Sequence, residues 1–279
     1  MTLPTIAVHL DHTERCEIRT LLAARLAKRH HSHLVGIVTT GVQAVAQPVP
    51  VHSELDDCIV GASLHLRRRA EAVAHVFRCR VAVPALPSFD TRLVDGEPVG
   101  AMVGHGRTSD LVVVGQADAC AVVDHAVRQL PEEVMLQAGR PVLIVPRAGR
   151  FDGALDRVLV AWDGSREASI CLRSALPVLR RAAKVTVMSL LRDGDDPAAR
   201  ALCPGEMNDW LLRHGVQASV ERVVTSARFS DVLLDSAAAL ECDLLVMGGY
   251  GHARMRERML GGVTRELLAR ATVPVLIAH

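Results

Sequence analysis

Between Gly248 and Thr264 the chain reads GGYGHARMRERMLGGVT. Gly248 and Gly251 would let the backbone turn sharply and approach a bulky anion with no Cβ in the way. Gly261 and Gly262 fall at the start of an expected helix carrying Leu267 and Leu268, where free amide groups and the positive dipole end favour phosphate oxygens. Arg254, Arg256 and Arg258 stand between the two glycine pairs. One or more could reach a triphosphate, although each taken singly reads as part of a solvated basic loop. The chemistry suggested is phosphate binding, and a few glycines alone are a weak signal for it.

What precedes the glycines gives them a position. CDLLVMG at 242–248 is an apolar strand, so the loop leaves a strand's carboxyl end. In open parallel sheets that is where ligands bind. The same strand occurs twice, as SDLVVVGQ at 109–116 and CDLLVMGG at 242–249, and so does the closing strand, as RPVLIVP at 140–146 and VPVLIAH at 273–279. Asp110 and Asp243 are 133 positions apart, as are Pro141 and Pro274, so the stretch between them aligns without a gap. Upstream, TIAVHLDHTE at 5–14 matches RVLVAWDGSR at 157–166 and sets Asp11 opposite Asp163 at an offset of 152. The excess in the first copy is placed in 40–60, whose Pro and small residues suggest a loop leading to a helix. The expected domains are 1–147 and 148–279, joined through PRAGRFDGALD at 146–156.

Strand and helix alternate along each copy. In the second, 157–162 is followed by DGS and a helix from 166, with Ser165 as its cap. The strand KVTVMSLL at 184–191, a helix ended by Gly215, a strand at 216–224, a helix at 229–240, the 242–248 strand, a helix near 263–271 and the closing strand complete it. This implies an α/β fold of two tandem doubly wound domains, each a five-stranded, mostly parallel sheet with helices on both faces.

The composition agrees with that fold and narrows the partners. Apolar residues are 49% of the 279 and aromatics only 3%, which suits a Val, Leu, Ala and Ile core between helices and a parallel sheet. With 32 basic and 31 acidic residues the net charge is +1, so no global field draws in nucleic acid or an anionic membrane. No apolar run reaches the roughly 20 residues needed to cross a bilayer. Seven scattered cysteines with no C-x-x-C pair and no signal-peptide pattern point to a reducing, cytoplasmic setting. His30, His31 and His33 have ligand chemistry, as do His9, Asp11 and His12, but the two groups are expected at opposite ends of the sheet, so no metal site is assigned. GHG at 104–106 precedes its strand and is no phosphate loop, and no catalytic triad has the spacing of a nucleophile elbow.

In this context the sequence resembles the universal stress protein family, whose nucleotide-binding members carry G-x2-G-x9-G followed by Ser or Thr. The match here is Gly248, Gly251 and Gly261, and both halves take part, as in the tandem type. The resemblance implies the adenine nucleotide α-hydrolase-like fold. It also implies ATP or another adenine nucleotide in the second domain only, with no metal beyond nucleotide-associated Mg. Asp163, at the end of the first strand, would lie near the adenosine and Leu190 by the adenine. Met247, Gly248, Gly251, Gly261 and Val263 would line the nucleotide. Gly262 departs from the pattern by lacking the hydroxyl. Its amide can still donate, so the loss is one side-chain hydrogen bond, about 0.5–1.5 kcal/mol or a decade in affinity. Thr264 offers a substitute hydroxyl or caps the helix.

The first copy has lost the pattern, with Asp118 opposite Gly251, Arg128 opposite Gly261, Gln129 opposite Gly262, and Pro131 expected in a helix's first turn. No ATP is expected there. The family's domains commonly dimerise through their last strands, which implies a pairing of Val142–Val145 with Val275–Ile277 inside one chain as a pseudo-dimer. A homodimer and an unidentified protein partner stay open. The expected function is a stress-response protein whose second domain binds ATP as a regulatory ligand. It is not expected to be an enzyme, because no catalytic base is evident near the phosphates, although slow hydrolysis stays open. The alternative is an interaction scaffold that binds no nucleotide. An ATP-pyrophosphatase of related fold ranks third, since neither AWDGSREAS nor HLDHTERCE supplies its S-G-G-x-D-S loop.

Overall fold

The computed structural model describes residues 2–42, 54–82, 86–117, 125–153, 155–194, 204–249 and 262–279. They fall into two compact units, Leu3–Ala138 and Gly139–His279. Gly251 and Gly261, the three loop arginines, Asp118 and most of 40–60 lie outside the described residues.

In the first unit the strands are β1 (Thr5–Leu10), β2 (His33–Thr39), β3 (Ser88–Val94) and β4 (Leu111–Gly115). They lie in the order β3-β2-β1-β4, all parallel, with Thr5 opposite His33 and Val8 opposite Val113. Helices α1 (Arg15–His30), α2 (Glu54–Ala82) and α3 (Pro98–Gly106) connect them, and α4 (His125–Gln137) follows β4. The chain steps one way from β1 to β3 and back the other way to β4. Right-handed crossovers therefore put α1 and α2 on one face of the sheet and α3 and α4 on the other. Accordingly α1 packs on α2, and α3 on α4. The carboxyl ends of β1 and β4 meet where the direction reverses, which is the switch point at which such sheets take ligands.

The second unit contains β5 (Val142–Val145), β6 (Arg157–Ala161), β7 (Lys184–Leu191), β8 (Ser219–Val224), β9 (Leu244–Gly248) and β10 (Val275–Ala278). Their order is β5-β10-β9-β6-β7-β8. All neighbours are parallel except β5 and β10, which run antiparallel with Leu276 opposite Leu143. β9 and β10 are buried along almost their whole length, as the unbroken apolar runs require of a sheet covered on both faces. Its helices are α5 (Arg166–Leu179), α6 (Pro204–Arg213), α7 (Phe229–Ala239) and α8 (Gly262–Arg270). In α5, Ala168, Cys171, Leu172, Ala175, Leu176 and Leu179 fall at helical spacing and are all buried.

Three local expectations needed correction. Pro131 is not in a first turn: α4 begins at His125, so Pro131 is inside the helix and is buried there. The helix forms one turn further upstream than expected and gives up one ladder hydrogen bond at the proline. Thr264 is the third residue of α8 and is 6% exposed, so it belongs to the helix's buried side and does not cap it. Gly215, with φ +73°, ends the helix before β8, but the strand itself starts at Ser219, later than the alternation suggested. Among the described residues no helix is long and apolar enough to cross a membrane.

Candidate functional site

The second unit's switch point is built around the end of β6. Ala161 is level with Met188 on β7 and with Met247 on β9. Asp163 follows two residues after Ala161, the last residue of β6, and Leu190 two residues after Met188 on β7. Asp163 turns the chain into α5: its Oδ1 accepts from the Ser165 amide at 2.9 Å, across Gly164 at φ +75°. Ser165 then caps the helix, its Oγ accepting from the Ala168 amide at 3.1 Å. One carboxylate oxygen thus serves the turn, and the group remains exposed with no ion-pair partner among the described residues. Leu190 is half-buried and Met247 only 6% exposed. Beside Asp163, Trp162 is buried and its indole N–H has no acceptor among the described residues, which leaves a donor to be satisfied from elsewhere.

Gly248 has a structural reason to be glycine that the sequence did not reveal. A Cβ there would strike the backbone of the first turn of α5, at 2.7 Å from the Glu167 carbonyl carbon and 2.9 Å from the Ala168 Cα, and closer still to the Ala168 nitrogen. The helix start and the strand end touch backbone to backbone, so a glycine is required with or without a ligand. Gly262 is the opposite case. It opens α8, is exposed, and a Cβ added to it would meet none of the described residues within 4 Å. Val263 beside it is 40% exposed. The described residues thus offer three groups of the kind an adenine nucleotide could use: an exposed carboxylate just past β6, a half-buried leucine near the end of β7, and the exposed first residues of α8.

The first unit's strand end is filled. Asp11 begins as Asp163 does, its Oδ1 accepting from the Thr13 amide at 3.0 Å. Its Oδ2, however, is held at 2.8 Å by Nη2 of Arg19, a residue on α1 that is 2% exposed. The Arg19 Nε donates to the His9 carbonyl at 2.7 Å, and its Nη1 lies 2.7 Å from where a Cβ on Gly115 would be. Gly115 and Gly248 are thus equivalent positions with different neighbours, the end of a guanidinium side chain in one unit and a helix backbone in the other. Burial would raise the Asp11 carboxyl, but Arg19, His9 and the Thr13 hydrogen bonds outweigh it and hold it at about 2. His9, 3% exposed with Nδ1 3.7 Å from Asp11 Oδ2, is pushed down to about 4 by burial and by Arg19, against the pull of Asp11.

Arg19 was missed in the sequence. Two signals were present: it sits among the buried residues Cys16, Thr20, Ala23 and Ala27 of an amphipathic helix, and the offset of 152 sets it opposite the apolar Cys171. His33 opens β2 and its Nδ1 pairs with Ser88 Oγ at 2.8 Å, at the opposite end of the sheet from Asp11. The GHG at 104–106 ends α3.

Residues 154–279 match the profile of the Universal stress protein family. A universal stress protein of Synechocystis sp. is 27% identical over 172 residues, covering 61% of this chain and 55% of that protein. The chain thus spans about half the length of that relative. One of Mycobacterium tuberculosis is 24% identical over 207 residues, covering 69% of each chain. Among solved structures, a universal stress protein from Archaeoglobus fulgidus DSM 4304 superposes with a TM-score of 0.74 at 17% identity, over 98% of this chain and 95% of that one. At that identity the likeness is one of fold.

Proposed function

We propose that this chain is a universal stress protein whose second repeat binds ATP or a related adenine nucleotide as a regulatory ligand in a stress response, while its first repeat does not. The observation that carries this reading is the contrast between the strand-end carboxylates: Asp163 is exposed and has no ion-pair partner among the described residues, whereas Asp11 is tied to a buried arginine. Asp163 would accept from the nucleoside, Leu190 would cover the base, and the amides of Gly262 and Val263 at the head of α8 would face the phosphates, with Mg bound to the phosphates themselves. The role proposed is binding, with Asp163 as a ligand contact. A cytoplasmic location fits the scattered free cysteines. The antiparallel ladder of β5 with β10 supports pairing of the repeats' last strands within one chain as an internal pseudo-dimer. Further association into a homodimer, or with a protein partner, is a separate question.

A second reading, a scaffold that binds no nucleotide, draws support from Gly248, whose retention helix packing alone explains, and from Gly262, which lacks the hydroxyl. Native mass spectrometry of the full chain with and without ATP separates the two. A bound adenine nucleotide that disappears in Gly251→Asp, which installs the residue of the first copy, supports the first reading. No adduct at millimolar ATP overturns it.

A further inference from the structure

Position 19 in α1 and position 171 in α5 are equivalent in the repeat, each eight residues after the strand-end aspartate, yet they hold an arginine and a cysteine. Both are buried, at 2% and 0% exposure. Cys171 is small and points its thiol at the Leu276 carbonyl, 3.4 Å away, leaving α5 free to close on Gly248 backbone to backbone. Arg19 spans the space between α1 and the ends of β1 and β4, taking the His9 carbonyl, the Asp11 carboxylate and the gap over Gly115 with its three nitrogens. We propose that this one position decides whether the strand-end aspartate of a repeat is open to a ligand: arginine closes the first repeat from within, and cysteine leaves the second repeat open.

The physical case is that a carboxylate already paired with a buried guanidinium has little to offer a nucleoside. A ligand would have to displace Arg19, leaving a buried cation without its partner, which is far more costly than breaking an exposed ion pair. The depressed Asp11 carboxyl is consistent with this pairing. The erased glycine loop of the first copy is then a second, separate loss. Restoring the glycines alone would not reopen the site while Arg19 remains.

The proposal rests on reading Asp163 as a ligand contact, and the experiment keeps the two apart. The full-length protein is labelled at neutral pH with a carbodiimide and glycinamide, and the modification of each aspartate is followed by peptide mass spectrometry. In the wild type Asp11, whose Oδ2 is paired with the buried Arg19, is expected to react severalfold more slowly than the exposed Asp163. Arg19→Cys, which installs the residue of the second repeat, should raise the Asp11 rate severalfold and leave the Asp163 rate unchanged. Arg19→Lys keeps the charge but cannot hold His9 and Asp11 together through a fork, and should give an intermediate rate. It serves as the reporter if Arg19→Cys does not fold. Equal rates for Asp11 and Asp163 in the wild type, or no change at Asp11 in the folded variant, would overturn the proposal. Adding ATP should protect Asp163 and not Asp11. Absence of that protection would count against nucleotide binding while leaving the conclusion on Arg19 to the labelling rates.

Discussion

Replacing Gly248 with alanine tests whether helix packing dictates this glycine. The new methyl group would sit 2.7 Å from the Glu167 carbonyl carbon and 2.9 Å from the Ala168 Cα, where ordinary contact begins at 3.4 Å. Both are backbone atoms in the first turn of α5, held by the Ser165 cap, so no side chain can swing aside. The helix must move by roughly half an ångström or the strand must bend. Overpacking of this kind costs about 1–3 kcal/mol. Against it stands a gain of about 0.4–1 kcal/mol from the stiffer unfolded chain. At the middle of these ranges a net loss of about 1.3 kcal/mol remains, which for a unit of this size lowers the midpoint of thermal unfolding by about 3–6 °C. Calorimetry and urea unfolding without nucleotide measure it directly. An unchanged or raised midpoint would refute the packing explanation and return Gly248 to the ligand as its only reason.

Other outcomes follow from the same geometry. Gly262→Ser adds a hydroxyl at the head of α8 that meets none of the described residues, so it should tighten ATP binding by about 2- to 10-fold with no loss of stability; titration calorimetry on both proteins reads the change. Asp163→Asn keeps an oxygen for the Ser165 amide but removes the charge, and should weaken ATP binding by about tenfold while shifting the melting midpoint little. Acid should destabilise the first unit in two stages. The folded value of His9, about 4, lies below its free value of 6.5, so the unfolded chain takes up the proton first. Stability is therefore lost as pH falls from about 6.5 to about 4, by at most about 3 kcal/mol. Asp11, depressed from 3.8 to about 2, contributes fully above that upper value and loses its contribution as pH falls through the lower one. Urea midpoints between pH 7.5 and 3 would show the upper stage, and His9→Gln should flatten it.

The sequence disclosed the order of elements because strands such as LVVVG and LLVMG, buried on both faces, must be unbroken apolar runs, and because the duplication repeats them at a fixed offset. It disclosed Asp163 and Ser165 for a local reason: a turn followed by a helix cap is written in three consecutive residues. What depended on contacts between distant residues was hidden. Gly248 looked like a ligand glycine until Glu167 and Ala168 were seen against it. Arg19 looked like one more charge on a helix, because only the fold brings Asp11, the His9 carbonyl and Gly115 around it. Thr264 and Pro131 were misjudged because helix starts are set by tertiary packing as much as by caps, and an error of a few residues turns an end position into an interior one.

The central claim is that one repeat takes a nucleotide and the other has closed. Isothermal titration of the full-length protein with Mg-ATP tests it most directly, through the stoichiometry. One ATP per chain is expected, lost in Asp163→Ala and retained in Asp11→Ala. Two per chain, or none at millimolar ATP, would contradict it.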